Sequence, residues 1–172
     1  MKRQRRKVGN ILEIKIKDNL YSYGIEINDI GYVAFFEYFI ESPEKYNLND
    51  LLKSKLVYKF LISRFLVTKG YFIIKENIQL EDYDINTSIK QRYIKDALNG
   101  SYRLYNWPGK DIPTTEEYVI KNRLQPVMVF DGEEQIIDLL LSLYNKESSI
   151  DLRTVSWLDP YSKFNNNGSV AD

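Results

Sequence analysis

Four carboxylates, Glu76, Glu81, Asp82 and Asp84, crowd between positions 76 and 84 with no Lys or Arg among them. Oxygen ligands at that density suit a hard cation such as calcium or magnesium. The spacing lacks the alternation about a central Gly that bends a calcium loop, so the segment reads as a solvated acidic turn, with no metal and no cofactor assigned. Paired carboxylates also perform glycoside chemistry, but nothing in the order of residues picks out a pair. A second concentration lies in "NGSYRLYNWPGKDIPTTEEY", where Tyr102, Arg103, Tyr105 and Trp107 stand beside Pro108-Gly109. Tyr, Trp and Arg supply much of the energy of protein interfaces, about 2 kcal/mol or more each when truncated. This segment therefore reads as a loop that grips a partner; the alternative is that Tyr105 and Trp107 cap the core.

The residue types that are missing narrow the chemistry. With no His and no Cys, Ser-His-Asp and Cys-His nucleophiles, thiolate zinc sites and disulfides are all excluded. An enzyme would have to work through carboxylates, Lys or Tyr. Lys plus Arg and Asp plus Glu each number 24, so the formal net charge is zero. No global field draws the chain to nucleic acid or anionic lipid. The basic start, with Lys2, Arg3, Arg5, Arg6 and Lys7, reads as a solvated terminal tail, with a nucleic-acid arm as the alternative. The "ILEIKIK" after it alternates with charges where a secretory signal would be apolar, and no run approaches about 18 apolar residues. The expected location is the cytoplasm, away from any membrane.

These residues need elements to position them. At 172 residues, 44% of them hydrophobic, the chain can bury roughly two-thirds of its unfolded surface. In "ILEIKI", Leu12, Ile14 and Ile16 share one face, a period of two that marks a strand. Asp18-Asn19 suit a tight hairpin. "LYSYGIEI" resumes the alternation with Tyr21, Tyr23, Ile25 and Ile27, and Asn28 to Gly31 make the next turn. "YVAFFEYFI" is almost continuously apolar and suits a central strand covered on both faces. After Pro43, Asn47 caps a short helix, and "KLVYKFLIS" and "GYFIIKE" are further strands. "SIKQRYIKDALNG" fits either a helix stripe or an extended segment. Thr114 and Glu117 stand at capping-box spacing, and "PVMVF" reads as one short buried strand. In "DGEEQIIDLLLSLYNK", Asp131 caps a helix whose first turn carries Glu133 and Glu134, with Asp138 beyond. Ile136, Leu139, Leu140 and Leu143 form its apolar stripe. The expected fold is α+β: a curved antiparallel sheet of about five to seven strands with the C-terminal helix packed on it. Residues 1–145 form a single domain in this reading, and 146–172 a C-terminal extension that is partly frayed.

Two stretches carry a family resemblance. Gly9 to Ile14 followed by Tyr21 to Gly24 is similar to the opening Gly-x-hydrophobic strand, turn and Tyr-x-Tyr-Gly strand of the immunity protein 26 family of bacterial polymorphic toxin systems. "PTTEEYVIKNRLQPVMVFDGEEQIIDLL" resembles that family's Pro-x-Thr-Glu-Glu segment, short strand, Asp and final helix. The match runs in order over roughly residues 7 to 143, and the chain departs from it beyond about 145. The resemblance implies a cytoplasmic protein that binds and neutralises a cognate toxin domain by stoichiometric contact, and it carries over no catalytic residues.

Many toxin domains act on nucleic acids through basic clefts, which carboxylates can steer toward and fill. Glu81, Asp82, Tyr83 and Asp84 are therefore the first partner-binding candidates, and Tyr102, Arg103, Tyr105 and Trp107 the second. Two other classes stay open. One is a nucleic-acid-binding module using the basic N-terminus and exposed aromatics, which predicts steeply salt-dependent binding. The other is an enzyme working through converging carboxylates with perturbed pKa values.

Overall fold

Alternation decides where the chain begins to pair. In the computed structural model, which describes residues 4–88, 91–106, 109–122, 124–127 and 129–147, β1 (Asn10–Lys17) turns at Asn19, whose φ of 57° is left-handed, into β2 (Leu20–Glu26). The strands pair antiparallel with Ile11 opposite Ile25 and Glu13 opposite Tyr23. Asn28 ends β2 with an Asx turn, its side-chain oxygen accepting from Gly31 N at 3.0 Å and Tyr32 N at 2.9 Å. β3 (Tyr32–Ile40) then runs back beside β2, buried on both faces from Tyr32 to Phe36. Helix α1 (Leu48–Lys53) is capped by Asn47, which accepts from Asp50 N, and β4 (Leu56–Ile62) completes the meander.

A short helix, α2 (Arg64–Thr68), carries the chain toward the far side of the sheet, where β5 (Ile73–Asn77) pairs antiparallel with β1. Gly9 makes that closure fit. It sits at φ 84°, and a Cβ there would run into the Ile78 carbonyl oxygen. The close approach lets Ile78 N donate to Gly9 O at 3.0 Å; any other residue would strain both the backbone and this contact.

The described residues divide into two compact units, one formed by residues up to 89 together with Val129–Glu147, the other by residues 90–128. The first holds a six-stranded mixed sheet in the order β10-β4-β3-β2-β1-β5, curled into a half-barrel. β10 (Val129–Phe130) lies parallel to β4. One sheet face buries Ile11, Tyr23, Ile25, Tyr32, Ala34 and Phe36 with Leu51 of α1 and Ile78. The opposite face is covered by α4 (Glu133–Tyr144), which packs on β1, β3 and β10 through buried Ile136, Leu139 and Leu140. Burying such a side chain fully stabilises by roughly 1.5–3 kcal/mol. At the helix end Tyr144 meets Phe39 of β3 edge-on, centroids 5.3 Å apart.

The second unit is a small sheet that alternation did not announce. Its order is β8-β7-β6-β9, built from β6 (Arg92–Lys95), β7 (Tyr102–Leu104), β8 (Ile112–Thr114) and β9 (Gln125–Pro126), with α3 (Glu116–Lys121) after β8. "QRYIKD" is thus extended. Three local expectations are corrected. Thr115, not Thr114, caps α3, accepting from Tyr118 N, because Thr114 still belongs to the β8 ladder. Gly132, not Asp131, is the N-cap of α4, and no side chain bonds there. "PVMVF" is not one strand: Pro126 ends β9 in the second unit, and Val129 opens β10 in the first. Of the expected extension 146–172, all from 148 onward lies outside the described residues.

Candidate functional site

The acidic turn is held at both ends by the core. Ile78, Leu80 and Ile85 all pack toward the Ile11–Tyr23–Ile25 cluster. Between them Leu80–Asp82 form one 3-10 turn, closed by Tyr83 N donating to Leu80 O at 3.1 Å. Pinned apolar residues on either side leave the intervening polar ones pointing outward, and Glu81, Asp82, Tyr83 and Asp84 are all exposed. Among the described residues no Lys or Arg forms an ion pair with Glu81, Asp82 or Asp84. Glu76 does not belong with them. It lies on β5 and accepts from the Tyr46 hydroxyl at 2.7 Å. Three carboxylates and one Tyr therefore share this turn and give it a negative local potential. Among the described residues no three or more acidic side chains are placed to share a metal ion.

The second candidate patch is divided by the pleat of its own strand. Tyr102 lies opposite Lys95 and Thr114, and Arg103 opposite Ile94 and Pro113, so the two side chains take opposite sheet faces. On one face the Tyr102 hydroxyl donates to Glu116 Oε1 at 2.5 Å while Lys95 Nζ lies 5.2 Å from its ring centre and Tyr93 beside it. Burial and the Glu116 carboxylate raise the Tyr102 pKa, and its hydroxyl in turn raises that of Lys95. On the other face Arg103 stands 4.0 Å from both Asp96 and Asp111. Tyr105, two residues on from Arg103, has its pKa raised by burial and by Asp111. Trp107 lies outside the described residues.

The β6–β7 hairpin of the second unit projects Leu98, 98% exposed. Its turn is fixed by Asp96 Oδ1, which accepts from Leu98 N at 2.9 Å and Asn99 N at 3.2 Å. These two donors, with Arg103 nearby, lower the Asp96 pKa.

Two constellations escaped sequence reasoning. The first is the N-terminal segment from residue 4 to 7, which is no free tail; Lys2 and Arg3 of the expected tail lie outside the described residues. The buried Glu26 carboxylate, 1% exposed, bonds Arg6 Nε and accepts from Asn10 Nδ2 at 2.8 Å and Lys7 N at 3.1 Å. Arg6 Nη1 donates on to Ile62 O at 3.1 Å. The guanidinium lies against Gly31, whose φ of 119° and missing Cβ leave it room. Gln4 is equally engaged: its amide donates to Val67 O and Phe72 O and accepts from Ile74 N. Nothing in the sequence announces partners so far away along the chain.

The second is an aromatic and charged cluster on the sheet face. Tyr23 lies tilted against Tyr46, ring centres 4.8 Å apart, and meets Tyr38 edge-on. Tyr23 donates to Glu13 Oε2 at 3.0 Å, and Lys75 Nζ lies 3.3 Å from the same oxygen. Burial, then the facing carboxylates Glu13 and Glu76, push the Tyr23 and Tyr46 hydroxyls far above the ordinary tyrosine range. Both are held neutral as donors and act as structural ties. The Glu13–Tyr23 pairing was legible in principle, since the alternation of β1 and β2 puts both on one face.

No helix of the described residues is long and apolar enough to cross a membrane. No family model, no curated protein and no solved structure matches the chain.

Proposed function

We propose that this protein is an immunity protein, which binds a cognate bacterial toxin domain stoichiometrically in the cytoplasm and blocks it without turnover of its own. The observation that carries this reading is the acidic turn. Glu81, Asp82 and Asp84 are exposed, free of ion pairs among the described residues, and flank Tyr83 on a turn pinned by Ile78, Leu80 and Ile85. Carboxylates that no neighbouring cation engages are suited to a basic cleft, the kind of surface with which enzymes of nucleic-acid chemistry hold phosphates. The resemblance of the β1–β2 and α3–α4 segments to the immunity protein 26 family supports the same reading. The nucleic-acid alternative is weakened because Arg6 and Gln4, at the heart of the basic N-terminus, are tied into the fold. The Tyr102 and Arg103 faces of β7 are secondary contact candidates.

The test is to read the gene immediately upstream and, where it encodes a large secreted protein with a variable C-terminal domain, to co-express and co-purify this chain with that domain. Protection that saturates at one equivalent is the expected result; protection at far less than one equivalent refutes stoichiometric binding. Reversing Glu81, Asp82 and Asp84 together to Lys should slow association at low salt and weaken protection. An affinity within about 0.5 kcal/mol of wild type, the size of an ordinary surface substitution, removes this turn from the interface.

A further inference from the structure

The sheet of the first unit has two ends, and they are treated differently. β10 is two residues long and offers little to pair with. β5 is longer, and beside it stand three exposed apolar side chains: Phe65, Tyr71 and Ile73, with the Phe65 and Tyr71 rings 5.9 Å apart. An open strand edge flanked by apolar side chains is the usual setting for strand addition by another chain.

That edge is occupied by a side chain. Ile74 N donates to Gln4 Oε1 at 2.5 Å, and Gln4 Nε2 donates to Phe72 O at 3.0 Å. Backbone polar groups alternate sides along a strand, so the groups of residues 72 and 74 share one direction, and the bond from Ile74 N to Gln4 shows that it points away from β1. One carboxamide thus satisfies an outward carbonyl and an outward N–H that an added strand would use. A third bond, to Val67 O at 2.9 Å, and the Arg6–Glu26 pair behind it hold Gln4 in place. Just past this point a register shift between Ile11 and Leu12 breaks the regular edge.

The occupant that fits is a second copy of the chain. In an antiparallel two-fold pairing that sets Phe72 against Ile74 of the second copy, Ile73 falls opposite Ile73 and Tyr71 opposite Lys75. The α2 C-cap at Lys69 and Gly70, with φ of 80° at the glycine, ends this pairing on one side and the register shift beyond Ile74 limits it on the other, and no like charges meet within it. Apolar and cation–aromatic pairs of this kind are the cross-strand contacts that stabilise sheets, and an isologous two-fold contact needs only one self-complementary patch. We propose that the outer edge of β5 is a self-pairing surface held closed by Gln4, so that the N-terminal segment sets whether the chain is monomeric through this edge.

Amide exchange and equilibrium sedimentation test this. In wild type the Ile74 amide should exchange far more slowly than an unprotected peptide. Gln4→Ala should accelerate its exchange at low concentration and tighten self-association at least tenfold (about 1.4 kcal/mol), and Gln4→Ala/Ile73→Lys should restore the wild-type constant. Should Gln4→Ala fail to fold by circular dichroism, Gln4→Glu, which keeps the acceptor and removes both donors, should act in the same direction. An Ile74 amide unprotected in wild type overturns the proposal. So does a folded Gln4 variant that associates no more tightly than wild type, or a dimer that survives Ile73→Lys.

Discussion

Replacing Glu26 by Ala should destabilise the first unit more than any other single change to a charged residue described above. The carboxylate is 1% exposed and is the counter-charge of Arg6, whose side chain is 14% exposed. Without it the guanidinium keeps only the Ile62 carbonyl, Nη2 already has no hydrogen-bond partner among the described residues, and Asn10 Nδ2 and Lys7 N lose an acceptor. Breaking a buried pair by removing one partner costs about 3–5 kcal/mol, because an uncompensated charge stays in low dielectric. At roughly 2–4 °C per kcal/mol for a chain of this size, the midpoint should fall by about 6–20 °C. That is a large part of a total stability of about 5–15 kcal/mol. Urea and thermal unfolding followed by far-ultraviolet circular dichroism measure it. Adding Arg6→Met to Glu26→Ala should recover at least about 1 kcal/mol, since the stranded charge is then gone. A loss below about 0.5 kcal/mol for Glu26→Ala, or a double variant no more stable than the single one, refutes the argument.

Alkaline titration should separate the tyrosines. The Tyr23 and Tyr46 pKa values are raised in the folded state, so their contribution to stability is complete below the unfolded value of about 10 and declines as pH rises past it. Tyrosinate absorbance should show these two ionising only with unfolding, and Tyr23→Phe should lessen the alkaline loss. For Asp96, whose pKa is lowered by the Leu98 and Asn99 amides, the sign is opposite: its contribution is present above the unfolded value of about 3.9 and is lost as pH falls below it. Asp96→Ala should speed exchange of those two amides at neutral pH and leave the first unit's exchange unchanged. Leu139→Ala, at a site 1% exposed between α4 and the sheet, should cost about 2–5 kcal/mol by chemical denaturation, whereas Leu98→Ala, on the hairpin tip, should be neutral.

The meander was legible because β1 shows period-two burial, β3 is a continuous apolar run, and the turns carry a residue that tolerates the needed φ or supplies a side-chain acceptor. Asn19 and Asn28 are both visible as letters. The second sheet was not, since strands of two to four residues such as Gln125–Pro126 and Tyr102–Leu104 are too short for any period to register. "PVMVF" misled for a related reason: an apolar run does not reveal that its two halves pair with different sheets. Of the candidate residues, the exposed turn at Glu81–Asp84 could be anticipated from its unbroken negative charge. The division of Tyr102 from Arg103 follows from strand alternation once β7 is known to be a strand. The capture of Arg6 by Glu26 could not be anticipated, because a charge twenty positions away along the chain looks the same in sequence whether it is buried beside its partner or dispersed in water.

The parallel pairing of β10 with β4 has a consequence for the order of events during synthesis. Residues 56–62 emerge from the ribosome early, but their outer neighbour, Val129–Phe130, and the helix that covers the sheet are made only after the whole 90–128 unit. Until then Phe60, which ends up against Phe130 at 4.5 Å, has an open edge and an uncovered apolar face. At about 5–20 residues per second, that interval lasts several seconds, long compared with the roughly 1–10 μs in which a hairpin forms. The β1–β4 meander can therefore assemble on the nascent chain and wait, and the rate of completing the first unit is set by translation. Slowing elongation within 90–128 should lengthen the life of this half-covered sheet and its exposure to aggregation. A permuted chain with residues 129–147 placed ahead of residue 4 should shorten it.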